Sequence, residues 1–436
     1  MKSFRFLTTV LFCLLSPHVF GQGTAMFRNN PEHTGVYNAS GVSKLTGIKW
    51  QFHTDGAVIS SPAITEALIF IGSADKNLYA VDRTAGTMKW LFATESAVSA
   101  SPAVQEGTVF FGSYDGRFYA VDAVTGHLKW KFDTAGERRY AGTHLHGLQP
   151  ASESMPDPWD VFLSSPVVWN GTVYFGSGDG GVYALDSATG DLRWKFQTGD
   201  VVHSSPAVSD GVLFVGSWDR NLYALDARTG VEKWRFQTGD DPVIHNHIGI
   251  QSSPAVAGGL VYFGCRDGHV YAVDVRSGKQ KWAFSTEGSW VNNSPAVADG
   301  RVYFGTSIPS LLHVLDSESG AEVFSLATTA PDFSSIAIAR GLLYVGTFDG
   351  RLAAVDLKTR KPVWSFQTQA SRLQLPALTK ADGTLDFSVI LPSNFYDDMV
   401  VGVHKLLGLG AILSSPAIAD GVVYVGSADG NLYALE

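Results

Sequence analysis

The chain repeats one pattern of apolar and polar positions, with a basic spacing of 40 residues, from about residue 60 to its end. Each copy starts at Ser-Pro-Ala, enters an apolar run that ends in Gly-Ser-x-Asp, and continues through Tyr-Ala-Val/Leu-Asp and Thr-Gly to Lys-Trp-x-Phe. A continuous apolar run predicts a buried strand, and the alternating segments predict half-buried strands. Each copy therefore predicts four short strands joined by tight turns.

A count of these copies predicts an eight-bladed β-propeller of four-stranded antiparallel blades. The prolines that open the copies are Pro62, Pro102, Pro166, Pro206, Pro254, Pro295 and Pro416, with Ile336 in the eighth place. The Gly-Ser/Thr/Cys-x-Asp turns lie at Gly72, Gly112, Gly176, Gly216, Gly264, Gly346 and Gly426, and Gly305 marks an eighth turn without its Asp. Because one four-stranded unit cannot bury both of its faces, such units stack around an axis.

The two ends of the repeat region complement each other. The last copy stops at Glu436 without a Trp strand, whereas residues 47–52 form a Trp strand without a copy. We expect residues 47–52 to be the outer strand of the last blade, because this pairing closes the ring and hides two sheet edges. The predicted organisation is a lead-in at 22–46 and one propeller at 47–436, in place of the two or three domains that length alone suggests.

The N-terminus predicts export. Residues 1–21 combine Lys2 and Arg5, an apolar run and a small residue at Gly21, which is the order of a secretory signal peptide. Cys13 lies inside the apolar run, so we read it as a signal residue rather than a lipid anchor. Cleavage near Gly21 changes the net charge from -9 to -11 and leaves Cys265 as the only cysteine. The expected product is periplasmic or secreted, without a transmembrane segment and monomeric, and its acidity argues against nucleic acid as a partner.

Three segments interrupt the repeat, and all three precede the first strand of a blade. They are residues 133–163 before blade 3, 238–250 before blade 5 and 369–413 before blade 8. Since the inter-blade loops and the Gly-Ser-x-Asp turns should open on the same rim, we place any functional site there. The candidate residues on this rim are Arg138, Arg139, His144, His146, Asp157, Asp160, His203, Trp218, His245, His247, Arg266 and Trp290.

The third insertion differs from the other two. Asp397 and Asp398 predict the start of a short helix, and roughly one face of it carries Met399, Val400, Val403, Leu406 and Leu407. We expect this helix to pack over the rim as a plug, or to offer an apolar surface to a partner.

Five segments resemble the tryptophan-docking repeat of quinoprotein alcohol dehydrogenases, which carry pyrroloquinoline quinone (PQQ). They are residues 80–90, 120–130, 184–194, 224–234 and 272–282, with weaker copies at 314–324 and 354–364. The lead-in residues 25–37 are also similar to those of PQQ-like propellers. The resemblance implies that seven rings pack between adjacent blades, namely those of Trp50, Trp90, Trp130, Trp194, Trp234, Trp282 and Trp364.

The resemblance leaves function open, because the same propeller occurs in calcium-dependent quinone dehydrogenases and in a scaffold lipoprotein of outer-membrane protein assembly. Our first hypothesis is a ligand- or protein-binding scaffold acting through the elaborated rim. The alternative is a PQQ- and calcium-dependent dehydrogenase of an alcohol or sugar, with Trp218 or Trp290 stacking on the quinone, Arg138, Arg139 or Arg266 on its carboxylates and Asp157 or Asp160 beside calcium. Against it, the adjacent cysteine pair of those enzymes is missing.

A third hypothesis is a transition-metal site. His-x-His occurs at 144–146 and again at 245–247, and His203 lies in the loop between the two insertions. Imidazoles together with nearby carboxylates suit such metals. Ion pairs and aromatic contacts that fold the long loops onto the rim would explain the same residues without any ligand.

Overall fold

Eight antiparallel sheets form the eight predicted blades of the propeller. The computed structural model describes residues 25–145, 151–240 and 249–436. From inside to outside, the strands of blade 1 are Ala63–Ile64, Leu68–Gly72, Asn77–Asp82 and Met88–Ala93, and those of blade 2 are Ala103–Gln105, Thr108–Ser113, Arg117–Asp122 and Leu128–Asp133. Blade 3 consists of Val167–Trp169, Thr172–Gly176, Gly181–Asp186 and Leu192–Gln197, and blade 4 of Ala207–Ser209, Val212–Gly216, Asn221–Asp226 and Glu232–Gln237. Blade 5 consists of Ala255–Ala257, Leu260–Cys265, His269–Asp274 and Gln280–Ser285, and blade 6 of Ala296–Ala298, Arg301–Gly305, Leu311–Asp316 and Glu322–Ala327. The strands of blade 7 are Ala337–Ala339, Leu342–Gly346, Arg351–Asp356 and Lys361–Gln367.

The eighth blade joins the two ends of the chain, as the sequence predicts. Its strands are Ala417–Ala419, Val422–Gly426, Asn431–Leu435 and the N-terminal strand Ile48–His53. Trp50 lies opposite Ala434 in this antiparallel pairing. The N-terminal strand thus covers the edge that the last strand would otherwise expose.

The docking tryptophans lie between blades. Six of the seven Trp rings cover the glycine turn between strands 3 and 4 of the next blade, and each indole N–H donates to a carbonyl just before that turn, as Trp90 does to Ala123 at 3.2 Å. A Cβ on Gly126, which follows in that turn, would lie 2.7 Å from the Trp90 ring. The glycine is required twice, because its φ of +72° also lies in the left-handed region.

Two inter-blade contacts depart from this arrangement. In blade 6 the docking residue is Phe324, and the glycine opposite it is replaced by Arg360, whose guanidinium lies 4.7 Å from the Phe324 ring centroid. Trp364 of blade 7 donates instead to the carbonyl of Val42 in the lead-in, at 2.7 Å. The lead-in therefore supplies the missing contact.

The lead-in also crosses the face of the propeller opposite the insertions. Pro31, Glu32, Thr34 and Gly35 each accept a hydrogen bond from the first strand of a different blade, in blades 4, 5, 6 and 7 respectively. Its strand Val36–Tyr37 adds a fifth, parallel strand to blade 7. The sequence predicts four strands for every blade, so this extra strand is a finding of the structure.

The insertions carry the other secondary structure. The first contains a two-stranded sheet, Ala141–Gly142 with Met155–Pro156. The third contains helix α1 (Gln369–Gln374), a 3-10 helix (Leu375–Leu378), α2 (Phe387–Ile390) and α3 (Tyr396–Gly408). Helix α3 confirms the predicted helix, with Asp397 and Asp398 in its first turn and Met399, Val403 and Leu406 buried. Within the described residues, no helix has the length and apolar character needed to span a membrane.

Candidate functional site

A ring of serines surrounds the propeller axis. In each blade the backbone N–H of the serine at the Ser-Pro position, or its equivalent, donates to the side-chain oxygen of the same serine in the next blade, at 2.9–3.3 Å. The ring comprises Ser61, Ser101, Ser165, Ser205, Ser253, Ser294, Ser335 and Ser415. The cavity that it borders has a volume of about 40 Å³, enough for about three water molecules. The serine ring therefore leaves room for water molecules at the axis.

A second ring lies two residues before these serines and divides the mouth into two halves. In blades 1, 3, 7 and 8 its members are apolar and in blade 2 it is Ser99, whereas blades 4, 5 and 6 contribute the larger polar side chains of His203, Gln251 and Asn292. All three are buried. The polar arc lies below the first insertion, and its side chains determine how that insertion is held.

Arg266 fills the space between the two candidate stacking residues. Its guanidinium carbon lies 4.4 Å from the ring centroid of Trp218 and 4.4 Å from that of Trp290. The other neighbour of Trp218 is Tyr140, whose ring stacks on it at 4.3 Å and 7°. Cation–π contacts of this kind strengthen when they are desolvated, and Arg266 is only 1% exposed.

The first insertion supplies the carboxylate that pairs with Arg266. The guanidinium donates to the carboxylate of Asp157, to Gln251 Oε1 at 2.9 Å and to Asn292 Oδ1 at 3.2 Å. The second oxygen of Asp157 accepts the backbone N–H of Trp159 at 2.8 Å. A buried charge is tolerated only when it is paired and hydrogen-bonded in this way.

A second buried charge cluster centres on His203. Its Nδ1 lies 2.7 Å from Asp160 Oδ1 and its Nε2 lies 2.9 Å from Glu137 Oε1. Burial by itself lowers the pKa of His203, but the two carboxylates outweigh burial and raise this pKa to about 10. His203 is therefore a cation at neutral pH. The remaining Asp160 oxygen accepts the backbone N–H of Tyr140 at 2.7 Å within the first insertion, and the contact of the same carboxylate with His203 ties the insertion to the start of blade 4.

The structure brings six of the candidate residues into these two adjoining clusters: Asp157, Asp160, His203, Trp218, Arg266 and Trp290. Arg138, Arg139 and His144 are exposed on the insertion, and Arg138 pairs with Asp200 at 3.0 Å. His146, His245 and His247 lie outside the described residues, so the His-x-His hypothesis stays a prediction. In the described part of the chain, no three His, Cys, Asp or Glu side chains are grouped to hold a metal ion.

Four residues of the clusters are absent from the sequence-based site. Gln251 and Asn292 could have been found by comparing the position two residues before each ring serine, where blades 1, 3, 7 and 8 carry an apolar residue. The glycine at the x position of the blade 3 turn, Gly178, is an indication of Glu137, since a Cβ on Gly178 would lie 2.2 Å from Glu137 Oε1. Tyr140 has no signal that we can identify in the pattern.

The described residues do not fit a stacked quinone beside calcium. The gap between Trp218 and Trp290 is filled by a guanidinium, and the outer side of Trp218 is covered by Tyr140. The two carboxylates proposed for calcium are bound to Arg266 and to His203. Cys265, which neighbours Arg266, is buried with its thiol pKa raised by burial.

Comparisons with known proteins agree with this fold. A family model described as outer membrane protein assembly factor BamB matches residues 39–146, 147–294 and 266–385. The quinoprotein alcohol dehydrogenase PedH of Pseudomonas putida is 35% identical over 81 residues, which is 18% of this chain and 14% of PedH. The matched segment therefore spans about one seventh of that relative.

Two solved structures show the same architecture at low identity. BamB from Moraxella catarrhalis superposes with a TM-score of 0.65 at 15% identity, covering 89% of this chain and 99% of BamB. The quinohemoprotein alcohol dehydrogenase from Comamonas testosteroni gives a TM-score of 0.68 at 15% identity, covering 94% of this chain and 80% of the enzyme. Together with the family match over most of its length, the repeat shows that the chain belongs to the PQQ-like β-propeller family that includes BamB.

Proposed function

We propose that this protein is an exported, non-catalytic binding scaffold that holds a protein partner on its elaborated rim. The observation that carries the proposal is the position of Arg266, which fills the gap between two aromatic rings with a side chain of the protein itself. A rim whose charges are paired internally supports a structural role better than a role in redox chemistry. The family description as an assembly factor agrees with a protein partner.

The third insertion gives this rim an apolar outer surface. Leu373 is 73% exposed, Phe395 62% and Val401 48%. In the scaffold proposal these exposed apolar side chains, on an insertion that the other blades lack, form part of the surface that contacts the partner. The scaffold proposal therefore assigns the contact to helices α1 to α3.

A photo-crosslinking experiment tests this contact. Benzoylphenylalanine replaces Phe395 on the insertion rim, and in a matched control it replaces Val124, which is 67% exposed in a strand-3 to strand-4 turn on the opposite face. We expect a discrete crosslinked protein in intact cells from position 395 and none from 124. Equal crosslinking from both positions, or none from 395, would count against the rim as the binding face.

A quinone-binding experiment tests the non-catalytic part of the proposal. PQQ and calcium are added to the purified protein, and both binding heat and dye-linked alcohol oxidation are followed, with a quinoprotein alcohol dehydrogenase as positive control. We expect neither heat nor turnover. The 81-residue likeness to PedH favours the dehydrogenase alternative. Saturable binding with turnover that is lost in Asp157→Asn would establish that alternative.

Export is tested separately, because residues 1–21 lie outside the described residues. We expect the mature protein in the periplasmic or secreted fraction, with an N-terminus close to residue 22. An intact N-terminus on protein recovered from the cytoplasm would refute export.

A further inference from the structure

An apolar cavity opens on the rim beside the Arg266 cluster. It lies between helices α2 and α3, the first insertion and the loops of blades 6 and 7, and its volume is about 210 Å³. Protein interiors contain few voids larger than a water molecule, and an engineered apolar cavity of about 150 Å³ binds benzene. This cavity is therefore large enough for an aromatic group.

The walls are aromatic and aliphatic. They include Trp159, Trp290, Phe333, Phe387, Met399 and Leu406. No described lining residue carries a charge, and the hydroxyl of Ser307 accepts the backbone N–H of Trp290 at 2.9 Å. Such a lining favours a neutral apolar occupant and penalises a charged one, because a buried charge would lack a partner here.

The walls are also held in place. Trp159 makes edge contacts with Phe333 at 6.1 Å and Phe348 at 5.8 Å between ring centroids. Met399, another lining residue, has the flexible thioether chain that adapts to differently shaped ligands. One lining residue, Ile308, is 57% exposed, which extends the apolar lining out to the surface.

We propose that this cavity is the anchor pocket for one large aromatic side chain, of tryptophan size, presented by a segment of the protein partner. Binding energy at protein interfaces concentrates in buried aromatic anchors that fill such pockets. The assignment rests on the proposed scaffold function and specifies how the rim holds its partner. Four of the lining residues, Phe387, Leu391, Met399 and Leu406, belong to the third insertion, the segment to which the contact is assigned.

Fluorine NMR with a capped amino acid tests the pocket. The probe is N-acetyl-5-fluoro-tryptophanamide, which is neutral and carries peptide-like amides, and free 5-fluoroindole is the comparison. We expect a saturable shift of the capped probe with the full-length protein. Ile308→Glu should weaken this binding at least about tenfold, because it places a charge at the exposed mouth without disturbing the core.

Val389→Glu is the matched control. Val389 is 44% exposed, lies on helix α2 and does not line the cavity. The affinity of this variant for the capped probe should therefore equal that of the wild type. Binding of free indole without the capped probe would refute a peptide-borne anchor, as would equal loss in the two variants. If neither probe binds while crosslinking from position 395 persists, the pocket assignment fails and the scaffold function stands.

Discussion

Replacement of Arg266 by methionine tests whether the buried stack holds the rim together. Methionine keeps the length and apolar contact between the two rings but removes the ion pair to Asp157 and the donors to Gln251 and Asn292. Breaking a buried ion pair from one side costs about 3–5 kcal/mol. We expect a loss of this size in the free energy of unfolding, because both charged side chains are almost completely buried.

Asp157→Asn and the double variant complete a cycle. If the two side chains stabilise each other, the double variant loses less than the sum of the single losses, with a coupling of about 2 kcal/mol. Urea unfolding, followed by circular dichroism and tryptophan fluorescence, measures each value.

Arg138→Met is the control for the loss of an arginine at the rim. Its ion pair with Asp200 is half-exposed, and surface pairs contribute about 0–1 kcal/mol. The reasoning fails if Arg266→Met costs no more than Arg138→Met, or if the coupling with Asp157 is below about 0.5 kcal/mol.

Three further predictions concern charge and blade packing. The pKa of His203 is about 10 in the fold and about 6.5 in the unfolded chain, so its protonation stabilises the fold fully below pH 6.5, and this contribution of up to about 5 kcal/mol is lost as the pH rises towards 10. The free energy of unfolding of His203→Gln should lack this dependence on pH, and an unchanged dependence contradicts the charge assignment. Gly86→Ala should lower the melting temperature more than Gly259→Ala, because both glycines have a positive φ but only at Gly86 would an added Cβ lie 2.6 Å from a docking ring. Equal decreases in melting temperature would mean that backbone strain, and not contact with the ring, determines the effect. Phe324→Trp should destabilise the protein by about 1–3 kcal/mol unless Arg360→Gly accompanies it, and rescue by the second change in thermal unfolding is the test.

The repeat makes the scaffold predictable because each copy specifies the same local structure. Eight turn glycines and seven docking tryptophans fix the blade number, and the incomplete copies at the two ends allow only one ring closure. Helix α3 was predictable from its two first-turn aspartates and the spacing of its apolar residues. In all these features the relevant contacts recur at one period or lie within one helix.

The site was predictable in position but not in pairing. Asp157 and Arg266 are 109 residues apart, and neither belongs to the repeated pattern, so no periodicity states that they meet. The sequence also supplies two aromatic residues with an arginine nearby, a set that suits a quinone and an internal stack equally well. Only the geometry shows that the guanidinium lies between the rings.

The buried charges of the rim have a second consequence for the proposed anchor pocket. Asp157 accepts the backbone N–H of Trp159 at 2.8 Å, and Trp159 forms one wall of the pocket. The ion pair between Asp157 and Arg266 therefore fixes the backbone from which this wall projects, and Arg266 also packs on the Trp290 ring, a second wall. Apolar replacement of a buried ion pair is often neutral for stability, so we infer that these charges serve to set one orientation of the insertion. On this reasoning the Arg266→Met/Asp157→Asn variant, even where it recovers stability, should bind the capped tryptophan probe more weakly than the wild type.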